Sequence, residues 1–122
     1  MEEMPPFKFE ISYTELSLAI QVCYAIVANV DEKMLYMDYI IGKAEIKKIA
    51  KFLNNELRAN EDKERFKVSF ERMNSLHFDT ILGLNSDTVE EHFTKEQNDL
   101  ISDLFERYSN MLAEFWSKNF KR

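Results

Sequence analysis

Few side chains in this sequence can do chemistry. There are two histidines, His77 and His92, and one cysteine, Cys23. The clusters with metal-ligand types are His77-Phe78-Asp79 and Glu90-Glu91-His92. On a helix, neighbours one or two positions apart point to different faces, so neither cluster chelates a metal by itself. A di-iron bundle needs paired Glu-x-x-His motifs, and the chain has none. One cysteine excludes an internal disulfide and the zinc sites built on two or four cysteines. Cys23 lies in an apolar run and reads as a small buried hydrophobe, compatible with a reducing compartment. Gly42 and Gly83 are the only glycines. That excludes Walker loops, dinucleotide fingerprints and nucleophile elbows, each of which needs closely spaced glycines. The expectation is a protein with no catalytic residue, no metal and no cofactor.

One spacing points the other way. Arg72-Met73-Asn74-Ser75-Leu76-His77 places an arginine and a histidine with four residues between them. It resembles the motif of the HEPN ribonucleases, which are all-helical domains of similar length. The resemblance implies Arg72 and His77 beside a dimer interface, cleaving RNA without a metal. It covers six residues, and Met73 stands where those enzymes usually carry a polar residue. His77 also fits an apolar helical stripe as a core residue.

Charge carries more information. The net charge is −6 and it is uneven. Residues 1–42 hold two basic against seven acidic groups, residues 43–72 nine against six, and residues 73–122 five against nine. Asp87, Glu90 and Glu91 precede a helix whose outer face carries Glu96, Asp99, Asp103, Glu106 and Glu114. Such a row is a solvated helix face or a docking surface for a basic partner. Lys43, Lys47, Lys48, Lys51 and Arg58 form a basic face with the same two readings. It can also pair with the acidic face, within the chain or across a dimer. A sequence pI near 5.0 argues against nucleic acid as the main partner.

The elements follow from the scarcity of breakers. No proline occurs after Pro6. The alternation Phe7-Lys8-Phe9-Glu10-Ile11 is that of a half-buried strand or an extended arm. Ser12 and Glu15 form a capping box, with Ile11 and Leu16 as a hydrophobic staple, and open a helix over 13–29. Asp31 caps a second helix over 32–58, with Gly42 in mid-stripe to admit a close contact or a kink. Asn60, followed by Glu61 and Asp62, starts a third helix over 61–82, supported by the pairs Glu61–Arg65 and Lys67–Glu71. Gly83 ends it at C′. Asn85-Ser86-Asp87 is a loop, and Asp87 and Glu90 cap a single turn. Thr94 and Gln97 form a second capping box, opening a helix over 95–120 that ends near Lys118, Lys121 and Arg122.

The expected fold is therefore mainly α, a four-helix bundle-like single domain over 1–122 with a short N-terminal strand or arm at 1–12. The alternative is α+β, with a small antiparallel sheet from 7–11, 65–71 and 75–82. The first helix and the start of the second are apolar on nearly every side. That suggests an interface through Met34, Tyr36, Met37 and Ile40, with a homodimer as one form of it.

An acidic N-terminus is not a secretory signal. The apolar run 16–30 is shorter than the roughly 20 residues that span a bilayer. A cytoplasmic protein without membrane contact is expected. The favoured function is non-enzymatic protein binding: a small acidic inhibitor, such as a toxin-immunity protein or a phage-type inhibitor, occluding a basic surface. Its contacts would be Asp87, Glu90, Glu91, Glu96, Asp99, Asp103 and Glu106. The alternatives are the HEPN-like ribonuclease and a helical scaffold subunit of a larger assembly.

Overall fold

The computed structural model describes residues 5–119. The architecture is mainly α with a two-stranded antiparallel sheet. The order is β1 (Phe7–Ser12), α1 (Tyr13–Asn29), α2 (Glu32–Tyr39), α3 (Lys43–Ala59), β2 (Arg65–Phe70), α4 (Arg72–Leu84) and α5 (Lys95–Asn119). A π-turn at Asn85–Val89 and a 3-10 turn at Glu90–His92 join α4 to α5. Residues 1–4, Phe120, Lys121 and Arg122, on which parts of the expected arm and of the last helix end fall, lie outside the described residues.

The alternation read in β1 finds its partner in β2. Phe7, Phe9 and Ile11 face Phe70, Val68 and Phe66 in register, all on the buried side. Lys8 and Glu10 point outward, and Glu10 accepts from the Arg65 Nε at 3.1 Å. The expected helix over 61–82 is thus corrected to a strand followed by a helix. The reason is long-range. The edge of β1 carries backbone donors and acceptors that need partners, and residues 65–70 supply them with period-two apolar residues. The Tyr13 N–H continues the pairing to the Glu64 carbonyl at 3.0 Å. Asn60 does not open a helix: it ends α3, its N–H bonded to the Leu57 carbonyl. The supposed helical pairs Glu61–Arg65 and Lys67–Glu71 dissolve too, since no helix spans either pair: Glu61 lies in the turn after α3, and Lys67 lies in β2. Of the alternative three-segment sheet, the segment at 75–82 is helical instead, inside α4.

The second expected helix also divides. α2 stops at Tyr39, Ile40 adopts φ 55° and ψ 40°, and Gly42 becomes the N-cap of α3. Gly42 has no side chain to cap with, and the Glu32 carboxylate does so from α2, accepting the Lys43 N–H at 2.8 Å. The close approach expected at Gly42 is made by a side chain: a Cβ there would collide with the Tyr36 hydroxyl. Gly83 is not a helix stop. It lies inside α4, where the Phe105 ring would stand 3.0 Å from an added Cβ.

Both capping boxes form as read. Ser12 and Glu15 exchange bonds of 2.9 and 3.0 Å, and Thr94 and Gln97 do so at 2.9 and 3.1 Å. The nearly all-round apolarity of α1 has a structural cause. This helix packs against α3, α4, α5 and β1, burying Leu16, Leu18, Ala19, Ile20, Val22, Cys23 and Ile26. Tyr108 fills the other side of the core. Its ring meets Phe7, Phe9, Phe70 and Phe78 edge-on, with centroids 4.8 to 5.6 Å away.

Candidate functional site

The residues of catalytic type are dispersed. Cys23 is fully buried in α1, and burial pushes its thiol up to about 12. That is the opposite of a reactive thiolate. Arg72 lies over the Trp116 ring, 5.2 Å from its centroid. His77 sits five positions further along α4, about 140° round the helix at 100° per residue. The two do not share a face. His92 is exposed beside Glu91, with 3.9 Å between Nε2 and Oε1. Among the described residues, no group of three or more His, Cys, Asp or Glu is placed to hold a metal ion. No single described helix is long and apolar enough to cross a membrane.

The acidic residues, by contrast, are gathered. Glu96, Asp99, Asp103 and Glu106 follow one another on α5 at steps of three and four, so one carboxylate appears per turn, about 5.4 Å apart. All four are exposed, and they lie opposite the buried Ile101, Leu104, Tyr108 and Leu112. Lys95 neutralises part of this row through Asp99 at 3.3 Å. Among the described residues, Glu96, Asp103 and Glu106 make no ion pair.

Asp87, Glu90 and Glu91 reach the surface from the two turns before α5. An asparagine clamp holds that corner to the helix. Asn98 on α5 donates to the Glu90 carbonyl at 2.9 Å and accepts from Asn85 Nδ2 at 2.9 Å. Sequence reading missed this clamp, because nothing in the spacing of two asparagines announces a contact.

No family model, curated protein or solved structure matches this chain.

The end of α2 is tied to the turn that carries Asp87. The Tyr39 hydroxyl at the end of α2 donates to the Asp87 carboxylate at 3.1 Å. Desolvation, reinforced by the hydrogen bond and charge of Asp87 and the charge of Asp38, raises the phenol above its ordinary value. The phenol therefore stays a donor through the neutral range. Met34, Tyr36 and Met37 on α2, and Ile40 at its C-cap, are exposed. The basic residues lie elsewhere. Lys47, Lys51 and Arg58 line a groove on α3 with Tyr24, whose hydroxyl accepts from Asn54 at 2.7 Å.

Proposed function

We propose that this protein is a non-enzymatic cytoplasmic inhibitor that binds another protein through its acidic face and occludes a basic surface there. A toxin neutralised by its immunity protein, or a host enzyme blocked by a phage protein, would present such a surface. The observation that supports this reading is the state of the carboxylates. Glu96, Asp103 and Glu106 stand exposed on one face of α5, and none of them is in an ion pair with a cation among the described residues. Carboxylates held in a row on a rigid helix steer and align a basic partner with little ordering cost. The Asn85–Asn98 clamp gives Asp87, Glu90 and Glu91 the same fixed placement.

The test is to purify the protein with what accompanies it from its native cells, then repeat with Asp99, Asp103 and Glu106 all changed to Lys. The expected result is loss of the partner with an unchanged circular dichroism spectrum. A partner that stays bound makes the acidic row no more than solvated surface.

A further inference from the structure

In a chain of net charge −6, the groove between α1 and α3 is lined without a single carboxylate. Tyr24 of α1 and Lys47, Lys51, Asn54 and Arg58 of α3 border it. It holds about 330 Å³, within the range of small-molecule sites. Helix α3 keeps its acids away from it. At 100° per residue, the four α3 residues fall within an arc of about 60°. Glu45 and Glu56, the acids of α3, lie about 150° or more from the middle of that arc. The other wall adds no countercharge, since Glu15 is the one charged residue of α1 and Arg107 holds it. Glu32, at the N-terminal end of α3, accepts the Lys43 N–H. Among the described residues, Lys47, Lys51 and Arg58 make no ion pair. Lys47 and Lys51 stand one turn apart, a like-charge spacing that destabilises a helix. An anion between them removes that repulsion.

The neutral groups of the groove are oriented for the same kind of ligand. Tyr24 is 55% exposed, yet its hydroxyl is held. Asn54 Nδ2 donates to it at 2.7 Å and to the Ala50 carbonyl at 3.1 Å, which uses both amide hydrogens. The carbonyl can only accept, so the amide has one orientation. The Tyr24 oxygen accepts from Asn54, and its own proton has no acceptor among the described residues. Three cations, a hydroxyl donor and an exposed ring therefore border one small cavity.

We propose that this groove binds a small organic polyphosphate. Its phosphates sit on Lys47, Lys51 and Arg58, the Tyr24 hydroxyl donates to one of their oxygens, and the organic part lies against the Tyr24 ring. The three cations are spread over about 16 Å of helix on long side chains that can converge on one ligand. Several negative charges in a small volume satisfy all three, and the Arg58 guanidinium can take two phosphate oxygens at once. A lone carboxylate would leave two cations unpaired. A nucleic acid strand would have to run beyond the cavity on a protein whose overall charge repels it. The site is separate from the α5 row and does not depend on the protein-binding reading.

The test is calorimetric titration of the full chain, free of divalent cations and near physiological salt, with adenosine triphosphate, tripolyphosphate and inorganic phosphate. The first two should saturate at one per chain. Inorganic phosphate should bind at least about tenfold more weakly. Lys51→Ala and Arg58→Ala should each weaken both polyphosphates about tenfold, with circular dichroism unchanged. Lys48→Ala removes a charge of the same helix outside the groove and should leave affinity within about twofold. Tyr24→Ala should weaken adenosine triphosphate more than tripolyphosphate, which separates the organic ligand from an inorganic one. Several results overturn the proposal: no saturation by either polyphosphate, a loss in Lys48→Ala equal to that in Lys51→Ala, or equal losses of both ligands in Tyr24→Ala. Inorganic phosphate binding as tightly as tripolyphosphate would make the groove a seat for an adventitious ion only. A single-stranded oligonucleotide that binds more tightly than adenosine triphosphate, and is released by Lys51→Ala, would replace the small ligand with nucleic acid.

Discussion

Arg107 on α5 holds Glu15, the carboxylate that also closes the capping box of α1. One guanidinium nitrogen lies 3.0 Å from Oε1 and 3.1 Å from Oε2, across 92 residues of sequence. Oε1 accepts the Ser12 N–H as well, at 2.9 Å. The Arg107 guanidinium further sits over the Phe9 ring, 5.2 Å from its centroid. A local helix signal thus doubles as the joint between β1, α1 and α5.

Glu15→Ala should be costly for that reason. It removes a cap and leaves Arg107 without its carboxylate. Arg107 keeps 38% side-chain exposure, so water compensates it in part, and the expected loss is about 2 kcal/mol. Glu15→Gln retains the cap hydrogen bond and should lose about half as much. Urea unfolding of both variants and of Arg107→Met, read as a double-mutant cycle, measures the coupling. Additive losses would mean that the pair contributes nothing.

Tyr108 makes stability fall at alkaline pH. Burial, and then the charge of Asp79, raises its phenol above the ordinary value. The folded state therefore holds the proton more tightly than the unfolded chain. This contribution is complete below the unfolded phenol's pKa of about 10 and is lost as pH rises above it. Thermal midpoints from pH 8 to 11 should decline for wild type and decline less for Tyr108→Phe. That variant also loses the 2.9 Å bond to the Ser75 carbonyl, so it should start about 1 kcal/mol less stable at neutral pH. Parallel curves for the two proteins would remove Tyr108 as the cause.

Cys23 should be silent to thiol reagents in the native protein. The residue is fully buried and its thiol is pushed up to about 12, so almost no thiolate meets solvent. Ellman's reagent should react only as fast as the protein unfolds, and fully in denaturant. Rapid labelling of the folded protein would show the α1 core to be open.

Gly83 and Phe105 should be coupled. Alanine at 83 gains about 1 kcal/mol of helix propensity but brings a methyl group against the Phe105 ring at 3.0 Å. The gain should be largely cancelled in wild type and recovered in a Phe105→Ala background. Chemical denaturation of the four proteins decides it, and an equal effect in both backgrounds would exclude the contact.

The local signals were legible because each is written within a few residues. Ser12 with Glu15, Asp31, and Thr94 with Gln97 start helices through bonds to backbone groups two or three positions away. The alternation of Phe7, Phe9 and Ile11 gave a strand for a similar reason. The acidic row of α5 and the exposed apolar residues of α2 could also be read from spacing alone. Ambiguity lay where two periods overlapped. Phe66 and Phe70 fit a helical stripe, and with Val68 they also fit a strand.

Tertiary structure decided between those periods, because β1 brings to residues 65–70 hydrogen-bond partners from nearly sixty positions away along the chain. It turned Gly42 into a boundary, with Glu32 as a borrowed cap, and kept Gly83 inside a helix beside Phe105. It also tied the end of α2 to the turn before α5, through the Tyr39–Asp87 bond across 48 residues. Composition and short-range capping fix where helices begin. Which backbone groups pair, and which faces end up adjacent, depends on contacts between distant segments, and these exist only once the chain has closed on its core.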